Sequence, residues 1–151
     1  MTQMAPNPLV DIILPLYNEE KIIAGSVTKL LSFLQESKFP YRYRITLVNN
    51  ASTDDSRVVI ESLAKKFPQI NVMNLDRKGK GYAIRSAWSA SNAGALVFVD
   101  ADIPFGLDRL QPLVEAVVSG QCDLAIGNRL GKDSRVVSNK VVRKIASRVY
   151  N

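Results

Sequence analysis

Ala95-Leu96-Val97-Phe98-Val99-Asp100-Ala101-Asp102 is an apolar run that ends in two carboxylates spaced i and i+2. An unbroken run of this length is expected of a central strand buried on both faces. Alternate strand residues share a face, so Asp100 and Asp102 emerge on one side where the strand ends. Ligands of open α/β sheets sit just beyond the carboxyl ends of strands. Two carboxylates there repel each other unless a divalent cation or a set of donors joins them. The plainer reading makes Asp102 a cap for the next turn and leaves Asp100 solvated.

Outward from this run the chain alternates strand and helix patterns. Val10–Leu16 reads as a first strand, followed by the polar loop Tyr17-Asn18-Glu19-Glu20. From Glu20, residues Ile22, Ile23, Val27, Leu30, Leu31 and Leu34 keep a helical spacing that closes at Pro40. Arg44–Val48 is a second strand, and Asn49–Ser56 is its terminal loop, in which Ser52 or Thr53 can cap the next helix. That helix carries Val59, Leu63 and Phe67 and stops at Pro68; Ile70–Leu75 is a third strand. After Arg77-Lys78-Gly79-Lys80-Gly81 a helix turns Ile84, Ala87, Trp88 and Ser91 inward and leads to Leu96–Val99. Pro104–Gly106 makes a turn. Leu107, Leu110, Leu113, Val114 and Val117 mark a further helix, and Cys122–Gly127 a fifth strand. The pattern is an α/β sandwich with a mostly parallel central sheet flanked by helices. Its boundaries read as a disordered tail over 1–8, a ligand-binding α/β domain over 9–135 and a basic amphipathic helix over 136–151.

Composition removes several chemistries. The chain of 151 residues has no histidine, so triads, histidine general bases and His-built zinc sites are excluded. Its single cysteine, Cys122, forms no intrachain disulfide and suits a reducing, cytoplasmic compartment. Residues 1–8 lack the features of a signal peptide, and no apolar segment approaches the ~20 residues of a membrane span. The net charge of +6 is uneven. Arg129, Lys132, Arg135, Lys140, Arg143, Lys144 and Arg148 face one acid, Asp133. Such an end suits phosphates, nucleic acid or the cytoplasmic face of an anionic bilayer, or is simply a solvated face.

The loops carry the chemistry. Arg77-Lys78-Gly79-Lys80-Gly81 combines glycines, a helix start and lysines, which together suit an anion; as a bare element it is a flexible basic turn. It is neither a G-x-x-x-x-G-K-S/T loop nor a G-x-G-x-x-G fingerprint after a first strand. Asn49-Asn50 taken alone is a turn at a strand tip. Glu19 is a cleft carboxylate or a first-turn helix acid, and Tyr17 a rim aromatic or a stacking platform. Asp54 and Asp55 read as cap and first-turn acids.

In their order and spacing these loops resemble the family 2 glycosyltransferases with the Rossmann-like GT-A fold, from Val10 almost to the end of the chain. Pro15-Leu16-Tyr17-Asn18-Glu19 resembles that family's P-x-Y-N-E, Val48–Asp54 its V-D-D-G-S-T-D, and Asp100-Ala101-Asp102 its D-x-D. Lys78–Arg85, Ala125–Arg129 and Ala146–Asn151 resemble the polyprenyl-phosphate branch, which includes dolichyl-phosphate glucosyl- and mannosyltransferases. The resemblance implies a metal-dependent, inverting transfer of a sugar from a nucleotide donor to a polyprenyl phosphate. Asp102 would hold Mg2+ or Mn2+, and Asp100 would contact the ribose or the metal's waters. Pro15, Tyr17 and Glu19 would line the nucleoside pocket, Asn50 would read the base edge, Lys78 and Lys80 would face the diphosphate, and Arg129 the acceptor phosphate.

Two departures from the family pattern carry expectations of their own. Asn49-Asn50 stands where the family has an acidic pair. A carboxylate suits the adjacent donors of guanine, whereas an amide oxygen accepts the single ring N–H of uracil, so a UDP-sugar is expected. The chain also ends before the family's Q-C-G-F-K-like segment, so it reads as the donor half, binding donor without transferring sugar. Two other classes compete: a nucleotide-sugar-binding unit without turnover, and a basic nucleic-acid-binding domain. The last lacks interleaved aromatics and a defined recognition element, so no nucleic acid is expected.

Overall fold

The computed structural model describes residues 7–103 and 106–127. Strands β1 (Leu9–Leu16), β2 (Arg42–Asn50), β3 (Ile70–Leu75) and β4 (Ala95–Phe98) alternate with helices α1 (Ile23–Glu36), α2 (Ser56–Lys66) and α3 (Lys80–Ala90). A single 3-10 turn, Leu107–Arg109, then leads into α4 (Leu110–Val118). All pairings are parallel and the strand order is β3-β2-β1-β4. The connection from β1 runs outward to β2, while β4 joins the opposite side of β1. That reversal opens a crevice at the carboxyl ends of β1 and β4, where α/β sheets take ligands.

Strand parity divides the sheet into two faces. Val10, Ile12, Leu14, Leu16, Ile45 and Leu47 pack with Ile23, Val27, Leu30, Leu34, Ile60 and Val114 from the helices in one large core. On the other face Ile13 and Val48 meet Ala83 and Ala87 of α3. The same face carries a buried polar knot. The Asp11 carboxylate, 1% exposed, accepts from Arg44 Nε at 3.1 Å, Thr46 Oγ1 at 2.6 Å and Ser91 Oγ at 2.6 Å. The knot ties the end of α3 to β1 and β2. Removing Arg44 strands the buried Asp11 charge, whereas Arg44, 28% exposed, keeps contact with water if Asp11 is removed.

Several expectations from the sequence change here. The run before Asp100 forms an edge strand among the described residues rather than a central one. β1 is central, and Leu96 and Phe98 of β4 are 37% and 45% exposed. Apolar length reports burial tendency and not the number of neighbours, and α3 is seated over β1 and β2. The expected fifth strand over Cys122–Gly127 does not form: these residues have no strand partner among those described, and Leu124 and Ile126 lie largely exposed. In α3 the buried contacts are Ala83 and Ala87, small enough to seat the helix close to the sheet, while Ile84 is only half-buried. α1 starts at Ile23, after a turn over Glu19–Ile22, and ends at Glu36, before Pro40. Neither Ser52 nor Thr53 caps α2: the N-cap position is Asp55, which makes no side-chain cap bond, and Asp54 just before it accepts Ser56 N at 3.0 Å. The expected basic helix over 136–151 lies outside the described residues. Among those described, no helix is long and apolar enough to cross a membrane.

Candidate active site

The site begins with two loops that hold each other. Asn18 at the tip of β1 donates its backbone N–H to Ser52 Oγ at 3.0 Å, and its Oδ1 accepts Thr53 N at 2.8 Å. Glu19 N donates to Ser56 Oγ at 2.8 Å, Glu20 N to Asp54 Oδ2 at 3.2 Å, and Asp55 N to Glu20 Oε2 at 3.0 Å. Asn18 and Ala51 both have φ 56°. The asparagine tolerates this left-handed conformation because its short amide bonds locally. The residues that look like helix caps in the sequence are therefore the clamp that fixes Tyr17 and Glu19. Their signal was their place in the second motif, but not their partners.

Parity separates the two asparagines. Asn49 is structural: its Oδ1 accepts Ser52 N at 3.0 Å and its Nδ2 donates to Asn74 Oδ1 at 3.0 Å. Asn50 points to the α3 side, where its Oδ1 accepts Gly79 N at 2.7 Å. A backbone N–H can only donate, so the amide oxygen must face Gly79. The oxygen that the sequence reading offered to uracil thus already serves the basic loop. Nδ2 makes no hydrogen bond among the described residues.

Pro15, Tyr17, Glu19, Asn50, Lys80, Asp100 and Asp102, with Leu16 and Ala101, line one cleft of about 250 Å³ at the switch point. Every candidate residue among those described belongs to it or touches it. Lys78 Nζ stands 3.6 Å above the Tyr17 ring, and Lys80 Nζ lies 2.5 Å from Asp100 Oδ1. Arg129 lies outside the described residues. After Asp102 the chain turns through Ile103 at φ 43°, an uncommon conformation for a β-branched residue. A strained turn of this kind costs about 1–3 kcal/mol and is characteristic of functional loops. A larger hollow of about 410 Å³ between α1 and the 3-10 turn is lined by Lys29, Phe33, Glu36 and Asp108 and contains none of the candidate residues.

The cleft is electrostatically divided. Desolvation, followed by the Asp102 and Asp54 charges, holds the Glu19 carboxyl above its ordinary value. Across the cleft, lysines supply positive charge. Among the described residues no three His, Cys, Asp or Glu side chains converge as a closed metal cage. Asp100 and Asp102 therefore fit a hard divalent ion only if water and ligand oxygens complete its shell, the habit of Mg2+ and Mn2+.

The family model described as Glycosyl transferase family 2 matches residues 11–150. The chain is 30% identical over 143 residues to Glycosyltransferase AglD of Haloferax volcanii, covering 94% of this chain and 23% of that protein. It is 27% identical over 139 residues to Dolichol-phosphate mannosyltransferase of Pyrococcus furiosus, covering 92% of this chain and 38% of that one. The chain thus spans well under half the length of both. Among solved structures it resembles the mannosyltransferase PcManGT from Pyrobaculum calidifontis, in complex with GDP-Man and Mn2+. The TM-score is 0.58 at 24% identity, over 74% of this chain and 32% of that one. It also resembles glucosyl-3-phosphoglycerate synthase from Mycobacterium tuberculosis, in complex with Mn2+, UDP and phosphoglyceric acid. There the TM-score is 0.56 at 25% identity, over 76% of this chain and 40% of that one. These likenesses agree with the GT-A-like sandwich expected from the loops.

Proposed function

The chain belongs to glycosyl transferase family 2, and from that premise we propose that it forms the donor-binding part of an enzyme that moves a sugar from a nucleotide to a polyprenyl or dolichyl phosphate. The carrying observation is the single cleft that gathers Pro15, Tyr17, Glu19, Asn50, Lys80, Asp100 and Asp102. An aromatic face, an amide, cationic side chains and paired carboxylates match, in turn, a base, its edge, a diphosphate and the ion that accompanies one.

In this reading Tyr17, Pro15 and Glu19 hold the nucleoside, Asn50 meets the base edge, and Lys78 and Lys80 turn to the diphosphate. Asp102, with Asp100, would hold Mg2+ or Mn2+, which supplies charge neutralisation to the departing diphosphate. The acceptor is already an anion near neutral pH. One of its oxygens forms the new bond to the anomeric carbon from the face opposite the diphosphate. The old C–O bond breaks with its electron pair leaving on the nucleoside diphosphate. No protein base is needed, in keeping with a chain that has no histidine. In-line attack inverts the anomeric centre and depends on orientation, which can carry a large share of the rate. Arg129 is proposed for the acceptor phosphate, and a lipid acceptor brings the site to a membrane surface.

The test has two stages. Calorimetry is expected to show UDP binding with Mn2+ and loss of that binding with EDTA. A radiolabelled-sugar transfer assay with polyprenyl phosphate then compares this chain with a longer one. Metal-dependent nucleotide binding by this chain, together with sugar transfer by the longer one, is the expected result. Absence of nucleotide binding overturns the reading.

A further inference from the structure

We propose that Lys80 is the resident counter-ion of Asp100, which a divalent cation must displace, and that a diphosphate assists the displacement by taking over the ammonium group. Both halves rest on the reading above, the displacement on a divalent ion at Asp100 and Asp102 and the assistance on a diphosphate beside it; the geometry of the cleft supplies the Lys80–Asp100 pair.

Three consecutive residues of one loop each occupy a different group of the cleft. Lys78 Nζ covers the Tyr17 ring at 3.6 Å, Gly79 N donates to Asn50 Oδ1 at 2.7 Å, and Lys80 Nζ sits 2.5 Å from Asp100 Oδ1. The backbone of this loop is well fixed. Ala83 N bonds to Gly79 O at 2.8 Å, and a Cβ at Gly79 would meet Tyr82 Cβ at 3.3 Å. Lys80 is the first residue of α3, so its Cα is held while its long stem is free to swing. The Lys80 and Asp100 side chains are 58% and 34% exposed. An ion pair this open is weak enough to exchange partners.

Charge decides the direction of exchange. Asp100 and Asp102 together carry −2, which Lys80 reduces to −1. A dication drawn to the two carboxylates meets the repulsion of an ammonium already seated on one of them. A diphosphate bound nearby offers that ammonium a stronger partner within its reach. The carboxylate pair then recovers its full charge for the metal. By linkage, metal and diphosphate raise each other's affinity through Lys80. The same side chain is therefore an obstacle to the metal alone and an asset to the metal with nucleotide.

The experiment is a Mn2+ titration followed by electron paramagnetic resonance of the free ion, on wild type, Lys80→Met and Lys80→Arg. Each is measured alone and with UDP, correcting for the Mn2+ that UDP holds in solution, and thermal melts check that the variants fold. Lys80→Met is expected to bind Mn2+ alone about two- to fivefold more tightly, the range an exposed ion pair is worth. The enhancement by UDP is expected to shrink in that variant, while Lys80→Arg keeps both wild-type values. Equal, weaker or absent Mn2+ binding by Lys80→Met overturns the displacement. If neither UDP nor GDP binds the wild type, the nucleotide-site reading falls and takes the diphosphate half of the proposal with it. The metal-only comparison then still decides the displacement.

Discussion

Asn50 Oδ1 accepts the backbone N–H of Gly79 at 2.7 Å, so the tip of β2 holds the loop that follows β3 across 29 residues of sequence. The bond has two consequences. It orients the Asn50 amide, and it seats Lys78 and Lys80 against Tyr17 and Asp100. Asn50 is 5% exposed, so losing its side chain leaves the Gly79 N–H without its partner at the cleft wall.

This bond makes base preference testable. With Oδ1 held by Gly79, Asn50 offers a base only its Nδ2 donor, which a uracil carbonyl can accept but the adjacent N–H donors of guanine cannot, so UDP is expected to bind more tightly than GDP. Asn50→Asp keeps an oxygen for Gly79 and offers a second one to the adjacent donors of guanine. The UDP-to-GDP affinity ratio should then fall by about tenfold, within the ~1–3 kcal/mol of a gained or lost paired contact. Competition calorimetry measures the ratio in both proteins. A wild-type preference for GDP would reverse the donor assignment.

A second expectation concerns Asp102. If it holds the metal, Asp102→Asn should weaken Mn2+-dependent UDP binding by about tenfold or more, since even indirect supports of metal sites carry effects of that size. In EDTA, where binding is lost, the variant and the wild type should not differ. Equal affinities with and without metal in the wild type would remove the metal from the site.

The clamp between the first two loops predicts a backbone effect at Asn18, whose φ is 56°. Asn18→Ala loses the bonds to Thr53 and also places an ordinary side chain in the left-handed region. Asn18→Gly loses only the bonds. Urea unfolding should show the alanine variant less stable than the glycine variant by about 1 kcal/mol. Equal stabilities would mean that the turn relaxes.

Acid should loosen the same junction. Some desolvation works to raise Asp54, but hydrogen bonds from Ser56 and Glu20 outweigh it and hold its carboxyl below the ordinary 3.8. The Arg57 hydrogen bond chiefly holds Glu61 below 4.5. Both groups bind fewer protons folded than unfolded. Their contribution is therefore complete above those ordinary values and is lost as pH falls through the lower, folded ones. Glu19, which desolvation and Asp102 raise, acts in the opposite sense and relaxes when protonated. Urea midpoints should thus drop below about pH 4, and Asp54→Asn should drop less steeply than wild type. Parallel curves would show that Asp54 is not stabilising.

Local pattern fixed the elements. Val27, Leu30, Leu31 and Leu34 recur at helical spacing and are all buried on α1, and Ile70–Leu75 is the strand its composition announces. Short-range periodicity is a property of consecutive residues, so one chain read in order suffices for it. The motifs also announced which loops bear chemistry, because polar loops after parallel strands must gather at one edge.

Neighbour relations needed the folded chain. That β1 rather than β4 is central, that Asn50 and not Asn49 reaches the basic loop, and that Ser52 and Ser56 clamp Asn18 and Glu19 are contacts between distant residues. The Lys80–Asp100 pair spans 20 positions in the same way. A residue's type states what it can bond. Its partner is chosen by strand order, by the pleat that sends adjacent residues to opposite faces, and by where α3 comes to rest. These are consequences of packing the whole sheet, and no local stretch of sequence contains them.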